Sequence, residues 1–152
     1  IFIGPVSRFF HVESDNKYDS ICIVSGPEPH REEYSQKMKS ILTHLKGNHI
    51  LFDANPKLEE IKKIGNLTII SHGNTSDLNQ YINQSNLIFS RSGYTTLMDI
   101  LILGKRAILT PTPGQGEQEY LARHHAQKNQ LISSVPQKEL NFEKINIILS
   151  PE

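Results

Sequence analysis

The segment 87–110, LIFSRSGYTTLMDILILGKRAILT, has the pattern of a strand, a turn, a helix and a second strand. Leu87–Ser90 and Ala107–Thr110 are short, mostly apolar runs, which is typical of strands that are covered on both faces. Between them, Gly93–Leu103 has the length and composition of a helix that ends at Gly104. The segment therefore predicts two parallel strands joined by a crossover helix.

The same alternation of short β-branched runs and amphipathic segments extends to both sides of this unit. It predicts an α/β fold with an open, doubly wound, Rossmann-like parallel sheet. One predicted helix begins behind a Thr75 or Ser76 cap, and the last begins near Lys138. We predict further strands at Ser20–Ser25, His49–Phe52, Leu67–Ser71 and Leu131–Ser133, and further helices at Glu32–Leu45, Lys57–Ile64, Asp77–Gln84 and about Gln118–Lys128.

Length and composition limit the possible functions. The 152 residues fit one domain, and 16 basic against 16 acidic side chains leave no net charge. A general basic field for nucleic acid is therefore not expected. The one cysteine, Cys22, cannot form an internal disulfide, which favours a cytoplasmic setting. We expect residues 1–19 to be a leading or interdomain segment, residues 20–152 to be the domain, and the chain to be a piece of a longer protein, because it begins with Ile1.

Ligands of open parallel sheets bind beyond the carboxyl ends of the strands, so the loops there are the candidate sites. Ser25 and Gly26 follow the first predicted strand, and glycine lets the backbone approach a ligand closely. His72 and Gly73 follow the third predicted strand, Leu67–Ser71, where they would contact a base or a phosphate. An ordinary Gly-Pro turn and a half-exposed loop histidine are the simpler interpretations of these two loops.

The turn after Ser90 is the most informative of these loops. Ser92 is expected to cap the following helix, whose first turn would offer N–H groups and hydroxyls to a phosphate or diphosphate. Asp99, about two turns on, is the acid of an otherwise apolar helix and is placed to accept hydrogen bonds from ribose hydroxyls. A salt bridge or an exposed edge position would also explain Asp99. The candidate residues of this turn are Arg91, Ser92, Gly93, Tyr94, Thr95, Thr96 and Asp99, and the possible salt-bridge partners of Asp99 are Arg91, Lys105 and Arg106.

The loop after Thr110 combines prolines and glycines with amide and acid side chains, then turns into a helix. Such polar groups recognise sugar hydroxyls, although a stiff surface turn is the alternative. No metal-binding spacing, GxGxxG, P-loop lysine or GxSxG occurs, so we expect no protein-built metal site and no cofactor. The candidate residues of this loop are Gly114, Gln115, Glu117, Gln118 and Glu119.

Asn86–Leu131 resembles the C-terminal domain of MurG-type glycosyltransferases, family 28 enzymes of the GT-B fold. The resemblance rests on the Arg-Ser-Gly turn, the acid on the following helix, the strand GKRAIL and the Pro-x-Pro loop that leads to Glu117-Gln118. In strand and helix order it extends over nearly all of the chain from Ser20 onward. It implies the C-terminal half of a GT-B enzyme, which binds a nucleotide sugar, with UDP as the expected nucleotide.

The resemblance also implies roles for particular residues. The turn 92–95 would bind the diphosphate, Asp99 the ribose, and Gln118 and Glu119 the donor sugar, while the base would lie near His72-Gly73. Asp99 stands where the family usually has Glu. Ala122 replaces an Asn that reads the sugar in the family, so the resemblance does not identify N-acetylglucosamine as the donor. The implied reaction is an inverting, metal-independent transfer of a hexose or N-acetylhexosamine.

The acceptor site and the catalytic base would belong to an N-terminal domain, in the same chain or in a partner chain. The C-terminal piece would then bind the donor without turnover, and the full enzyme would act on the cytoplasmic face of a membrane on a lipid-linked or cell-surface glycan precursor. Two alternatives to the glycosyltransferase interpretation remain. One is half of a sugar-nucleotide epimerase, and the other is a receiver-like signalling module with Asp53 as the phospho-acceptor, although the loop 25–27 lacks the acidic pair that receivers need.

Overall fold

In the computed structural model, which describes residues 9–53, 60–71 and 73–150, strands and helices alternate as expected for an α/β fold. Each strand is short and most are buried, so the chain forms a central sheet with helices on its faces. The strands are β1 (Tyr18–Val24), β2 (His49–Asp53), β3 (Ile61–Ile64), β4 (Leu67–Ile70), β5 (Ser85–Ser90), β6 (Arg106–Leu109) and β7 (Ile132–Ser134). The helices are α1 (His30–His44), α2 (Thr75–Asn83), α3 (Tyr94–Leu103), α4 (Gly116–Lys128) and α5 (Phe142–Leu149), with a 3₁₀ turn at Gln137–Glu139.

The seven strands form one sheet in the order β3-β4-β2-β1-β5-β6-β7. All neighbouring pairs are parallel except β3 with β4, which is antiparallel. The chain builds outward from β1 through β2 to β4, then returns to β5 on the other side of β1 and continues to β7. This reversal between β1 and β5 confirms the doubly wound topology and creates a crevice at the carboxyl ends of these two strands.

The core has two layers, one on each face of the sheet. Alternate residues of β1 point to opposite layers: Ile21 and Ile23 pack with α2, α3 and α4, whereas Cys22 and Val24 pack with α1 and α5. Phe9, before the sheet, is buried in the first layer. Covering both faces explains why consecutive strand residues are apolar. No helix in the described part of the chain is both long and apolar enough to cross a bilayer.

Several element boundaries differ from the sequence-based expectation. β1 begins at Tyr18, two residues before the predicted strand. The predicted helix Lys57–Ile64 is wrong at its end, because Ile61–Ile64 is the edge strand β3; residues 57–59 lie outside the described residues. The last helix begins at Phe142 rather than near Lys138, since the 3₁₀ turn intervenes.

The cap of α2 also differs. The predicted caps, Thr75 and Ser76, are already helical, and Asn74 is the cap. Its side chain accepts a hydrogen bond from the Asp77 N–H (2.9 Å), and the Asp77 carboxylate accepts one from the Asn74 N–H (3.2 Å). This is a reciprocal capping box.

Candidate functional site

The first turn of α3 opens at the carboxyl end of β5, beside the reversal point of the sheet. Gly93 is the cap residue, with extended backbone angles, and no side chain in the described part of the chain caps the helix. The predicted cap, Ser92, is wrong: its Oγ donates instead to the Gln118 carbonyl at 2.7 Å. The N–H groups of the first helical turn therefore have no side-chain acceptor among the described residues, at the end of the helix where its dipole is positive.

A cavity of about 230 Å³, which we call the α3 cavity, lies in front of this turn. Its wall consists of residues 93–96 on one side and Gln115, Glu117 and Gln118 on the other. The structure thus brings together residues from two predicted site loops, more than 15 positions apart in sequence. Backbone donors, threonine hydroxyls and amide groups share one concave surface, which suits an anion bearing neighbouring hydroxyls.

Gln118 holds the second wall of this cavity in shape. Its Oε1 accepts a hydrogen bond from the Thr112 N–H (2.9 Å), and its Nε2 donates to Gln115 Oε1 (2.9 Å). Together with the bond from Ser92 to its carbonyl, Gln118 ties the start of α4 to the loops that follow β5 and β6. The side chain predicted to read a sugar therefore also fixes the loop around it.

Arg91 is 2% exposed, so it lies inside the protein rather than on the cavity surface. Its Nη2 donates to the His30 carbonyl at 2.8 Å, and its Nη1 to the carbonyls of Thr110 (3.3 Å) and Pro111 (3.4 Å). The guanidinium also stacks 4.3 Å above the centre of the Tyr34 ring. Burial lowers the pKa of Arg91, an effect opposed by nearby Tyr34, but an arginine stays charged at neutral pH. Arg91 joins the loops after β1, β5 and β6 at the reversal point.

Gly26 lies close to the Arg91 side chain. It has φ 110°, which favours glycine, and a Cβ there would lie 3.6 Å from Thr112 Oγ1 and 3.9 Å from Arg91 Nε. Both of these atoms are buried without a hydrogen-bond partner among the described residues. Ser25, just before it, is exposed. No local pattern in the sequence indicated a role for Thr112, because its hydroxyl comes close to Gly26 only through long-range packing.

Asp99 is buried in α3, with 2% of its surface exposed, and does not line the α3 cavity. It shares the buried face of the helix with Leu97 and Ile100. The predicted ribose contact stays a prediction. It requires the carboxylate to become accessible when the nucleotide binds.

The proposed base-binding region is only partly described. His72 lies outside the described residues. Gly73 is half-buried, and a Cβ at this position would lie 2.9 Å from Phe52 Cε2. Close packing against Phe52 is therefore sufficient to require glycine here.

Gly114 and Glu119, both candidate residues of the loop that leads into α4, line a different cavity from Gln118. We call it the proline cavity: it measures about 350 Å³, and its walls include Pro111, Pro113 and Pro136. Glu119 and Gln118 are consecutive on α4, so their side chains diverge by about 100° around the helix axis. The proline cavity also contains polar residues that the sequence analysis did not single out, namely Arg123, Ser134, Gln137 and Lys138. The only available signal was the i, i+4 spacing of Glu119 and Arg123, which places them on one face of a helix.

The receiver-like alternative depended on Asp53. Its carboxylate accepts hydrogen bonds from Arg31 Nη1 at 2.6 Å, from Lys39 Nζ at 3.3 Å and from the Ser35 hydroxyl at 3.2 Å. Asp53 is thus engaged in an ion-pair network between β2 and α1. Among the described residues, no group of three or more His, Cys, Asp or Glu side chains is arranged to hold a metal ion. Burial raises the pKa of the Cys22 thiol to about 12, so it is not a nucleophile at neutral pH.

Comparison with known proteins identifies the family. The model of the glycosyltransferase family 28 C-terminal domain matches residues 23–149. The chain belongs to this family. The match spans every site loop discussed above, including the first turn of α3 and the loop that leads into α4. Membership assigns the domain to glycosyltransferases rather than to receiver-like modules.

Comparison with solved structures concerns the fold of this chain. The chain is similar to MurG from Acinetobacter baumannii, with a TM-score of 0.68 and 19% sequence identity over 91% of this chain. This likeness shows that both have the same Rossmann-like architecture. The chain spans 42% of the length of that MurG, which is less than half of such a protein. A search of the curated proteins found no match.

Proposed function

We propose that this family 28 domain binds a nucleotide sugar, with its diphosphate at the first turn of α3. The α3 cavity is the observation that carries this proposal. It places the uncapped N–H groups of the turn, the hydroxyls of Thr95 and Thr96 and the backbone of Gly93 on one surface. An anionic diphosphate is the ligand that a positive helix end of this kind favours.

The positions of the rest of the nucleotide and of the sugar follow from the family resemblance and from the residues that line the α3 cavity. The base, which we take as uracil, lies towards residues 72–73, and the ribose hydroxyls bind Asp99 once its carboxylate is accessible. The hexose or N-acetylhexosamine meets Gln115, Glu117 and Gln118, which line the second wall of the α3 cavity. Amide and carboxylate groups there accept and donate the hydrogen bonds that sugar hydroxyls need.

In the complete protein this domain would act as the donor half of a hexosyltransferase. As the bond to the sugar breaks, the positive end of α3 offsets the charge that develops on the departing nucleoside diphosphate. The acceptor and the catalytic base belong to an N-terminal domain, so the family 28 domain alone binds the donor without turnover. The setting that fits this activity is the cytoplasmic face of a membrane, where a lipid-linked or cell-surface glycan precursor accepts the sugar.

The first test is a Gly93→Ala substitution. A Cβ at Gly93 would lie 3.8 Å from Gln118 Nε2, an ordinary contact, and the backbone angles suit alanine, so the variant should fold. The added methyl group lies at the wall of the α3 cavity, where it obstructs the approach of phosphate to the helix end. We expect UDP binding, measured by isothermal titration calorimetry, to weaken about 10-fold, which corresponds to about 1.4 kcal/mol.

Gly116→Ala is the matched control. Gly116 begins α4 and does not line the α3 cavity, and a methyl group added to it would have nothing within 4 Å. This variant should bind UDP like the parent. Equal affinities of the parent and both variants would contradict the placement of the diphosphate.

A further inference from the structure

The proline cavity lies past the carboxyl ends of β6 and β7, on a different side of α4 from the α3 cavity. Its volume of about 350 Å³ is within the range of sites that bind small molecules. Three prolines, Pro111, Pro113 and Pro136, form an apolar and conformationally restricted part of the wall. A cavity of this kind keeps its shape without a ligand, which lowers the entropic cost of binding.

One further part of the wall is fixed by long-range hydrogen bonds. Lys37 Nζ donates to the Gln137 carbonyl at 2.7 Å, and Gln137 Nε2 donates to Glu33 Oε2 at 2.9 Å. Both partners lie on α1, about 100 residues earlier in the chain. Gln137 is 6% exposed, and its Oε1 has no hydrogen-bond partner among the described residues. A buried oxygen of this kind is costly unless a donor reaches it.

The charged residues at the cavity are unbalanced. Glu119 contributes one negative charge, while Arg123 and Lys138 contribute two positive charges. Neither the Arg123 side chain nor the Lys138 side chain forms a hydrogen bond or an ion pair with any residue that the structure describes. Two such cations beside a single carboxylate favour a ligand that carries a negative charge.

We propose that the proline cavity is a subsite for an acidic sugar unit, whose carboxylate or phosphate group binds Arg123 and Lys138. The hydroxyls of the same unit donate to Glu119 and Gln137, and its apolar C–H face packs on the prolines. The acidic unit is either the donor sugar, which then extends past Gln118 from the α3 cavity to Glu119, or a part of the acceptor. This inference rests on the proposed function, because Gln118 and Glu119 are consecutive and connect the cavity to the donor site.

The test compares sugars that differ only in charge. Calorimetric titrations of the chain with UDP, UDP-glucose and UDP-glucuronate measure the contribution of a carboxylate on the donor sugar. Titrations with glucose 1-phosphate and free glucuronate measure an acidic unit that arrives without the nucleotide. Each is repeated with the double variant Arg123→Gln/Lys138→Gln and with Lys128→Gln, a control that removes a cation from the last turn of α4 outside both cavities.

We expect UDP-glucuronate to bind about 10-fold more tightly than UDP-glucose, and the double variant, but not Lys128→Gln, to abolish the difference while leaving UDP affinity unchanged. If only the free acidic sugars bind, and the double variant removes that binding, the acidic unit belongs to the acceptor, which also supports the subsite. The inference is overturned if no acidic probe distinguishes the parent from the double variant. Failure of UDP itself to bind would instead overturn the proposed function, and the free acidic sugars would still decide the fate of the subsite.

Discussion

Arg91 is a buried cation whose hydrogen bonds go to backbone carbonyls and whose guanidinium stacks on an aromatic ring. Burying a charge is costly, and these contacts replace part of the hydration that the guanidinium loses. Its carbonyl partners belong to the start of α1 and to the loop after β6. Arg91 therefore sets the relative positions of the loops around the candidate site without lining the α3 cavity itself.

Replacing Arg91 by methionine should destabilise the domain by about 3 kcal/mol. Methionine keeps much of the apolar volume but leaves buried carbonyls without donors, and each such loss costs about 1 to 3 kcal/mol. Urea unfolding followed by circular dichroism measures the change. The control is Arg106→Met, because Arg106 is exposed and its side chain makes one hydrogen bond to the described residues, from its Nη2 to the Ile148 carbonyl. Similar costs for the two variants would show that Arg91 does not have this structural role.

The sequence indicated which loops line the α3 cavity better than it indicated the direction of their side chains. The glycine at the start of α3 and the polar loop before α4 were both predicted, and both line the α3 cavity. The inward direction of Arg91 and the bond from Ser92 to the Gln118 carbonyl were not. Both depend on partners 19 to 61 residues away, which no local pattern specifies.

Among the elements, β3 shows how a short apolar pattern can mislead. Ile61 and Ile64 are spaced as on a helix face, but four residues fit a strand equally well. Gly65-Asn66, directly after them, is a two-residue hairpin turn, and Gly65 has φ 58°. This dipeptide indicates an antiparallel strand pair, which the spacing of the isoleucines did not predict. Both isoleucines are exposed, so burial did not help to identify the strand.

The start of α2 provides a prediction at this scale. The Asn74 side chain satisfies the Asp77 N–H in the capping box, so Asn74→Ala should destabilise the domain by about 1 kcal/mol. Ser76→Ala is the control, because Ser76 is exposed within the first turn and is not the cap. Urea midpoints of the two variants and the parent measure the effect. A larger loss for Ser76→Ala than for Asn74→Ala would contradict the capping assignment.

For the whole molecule, the alternation of strands and helices predicted the architecture, but not the order of the strands. Local periodicity cannot reveal that β5 returns to pair with β1, because that pairing joins residues more than 60 positions apart. The return matters for function, since it opens the crevice where Gly26, Arg91 and the first turn of α3 meet. The family match and the MurG-like fold agree with this topology.

We propose that a nucleoside diphosphate binds at the α3 end of this crevice. The most direct measurement is an NMR titration of ¹⁵N-labelled chain with UDP, followed through the backbone amides. If UDP binds at the first turn of α3, the shifts are saturable, are largest at Gly93–Thr96 and extend to Asp99. The amides of α5, on the opposite face of the sheet, do not shift. Saturable binding with shifts elsewhere, or no binding of UDP, GDP or TDP, would contradict it.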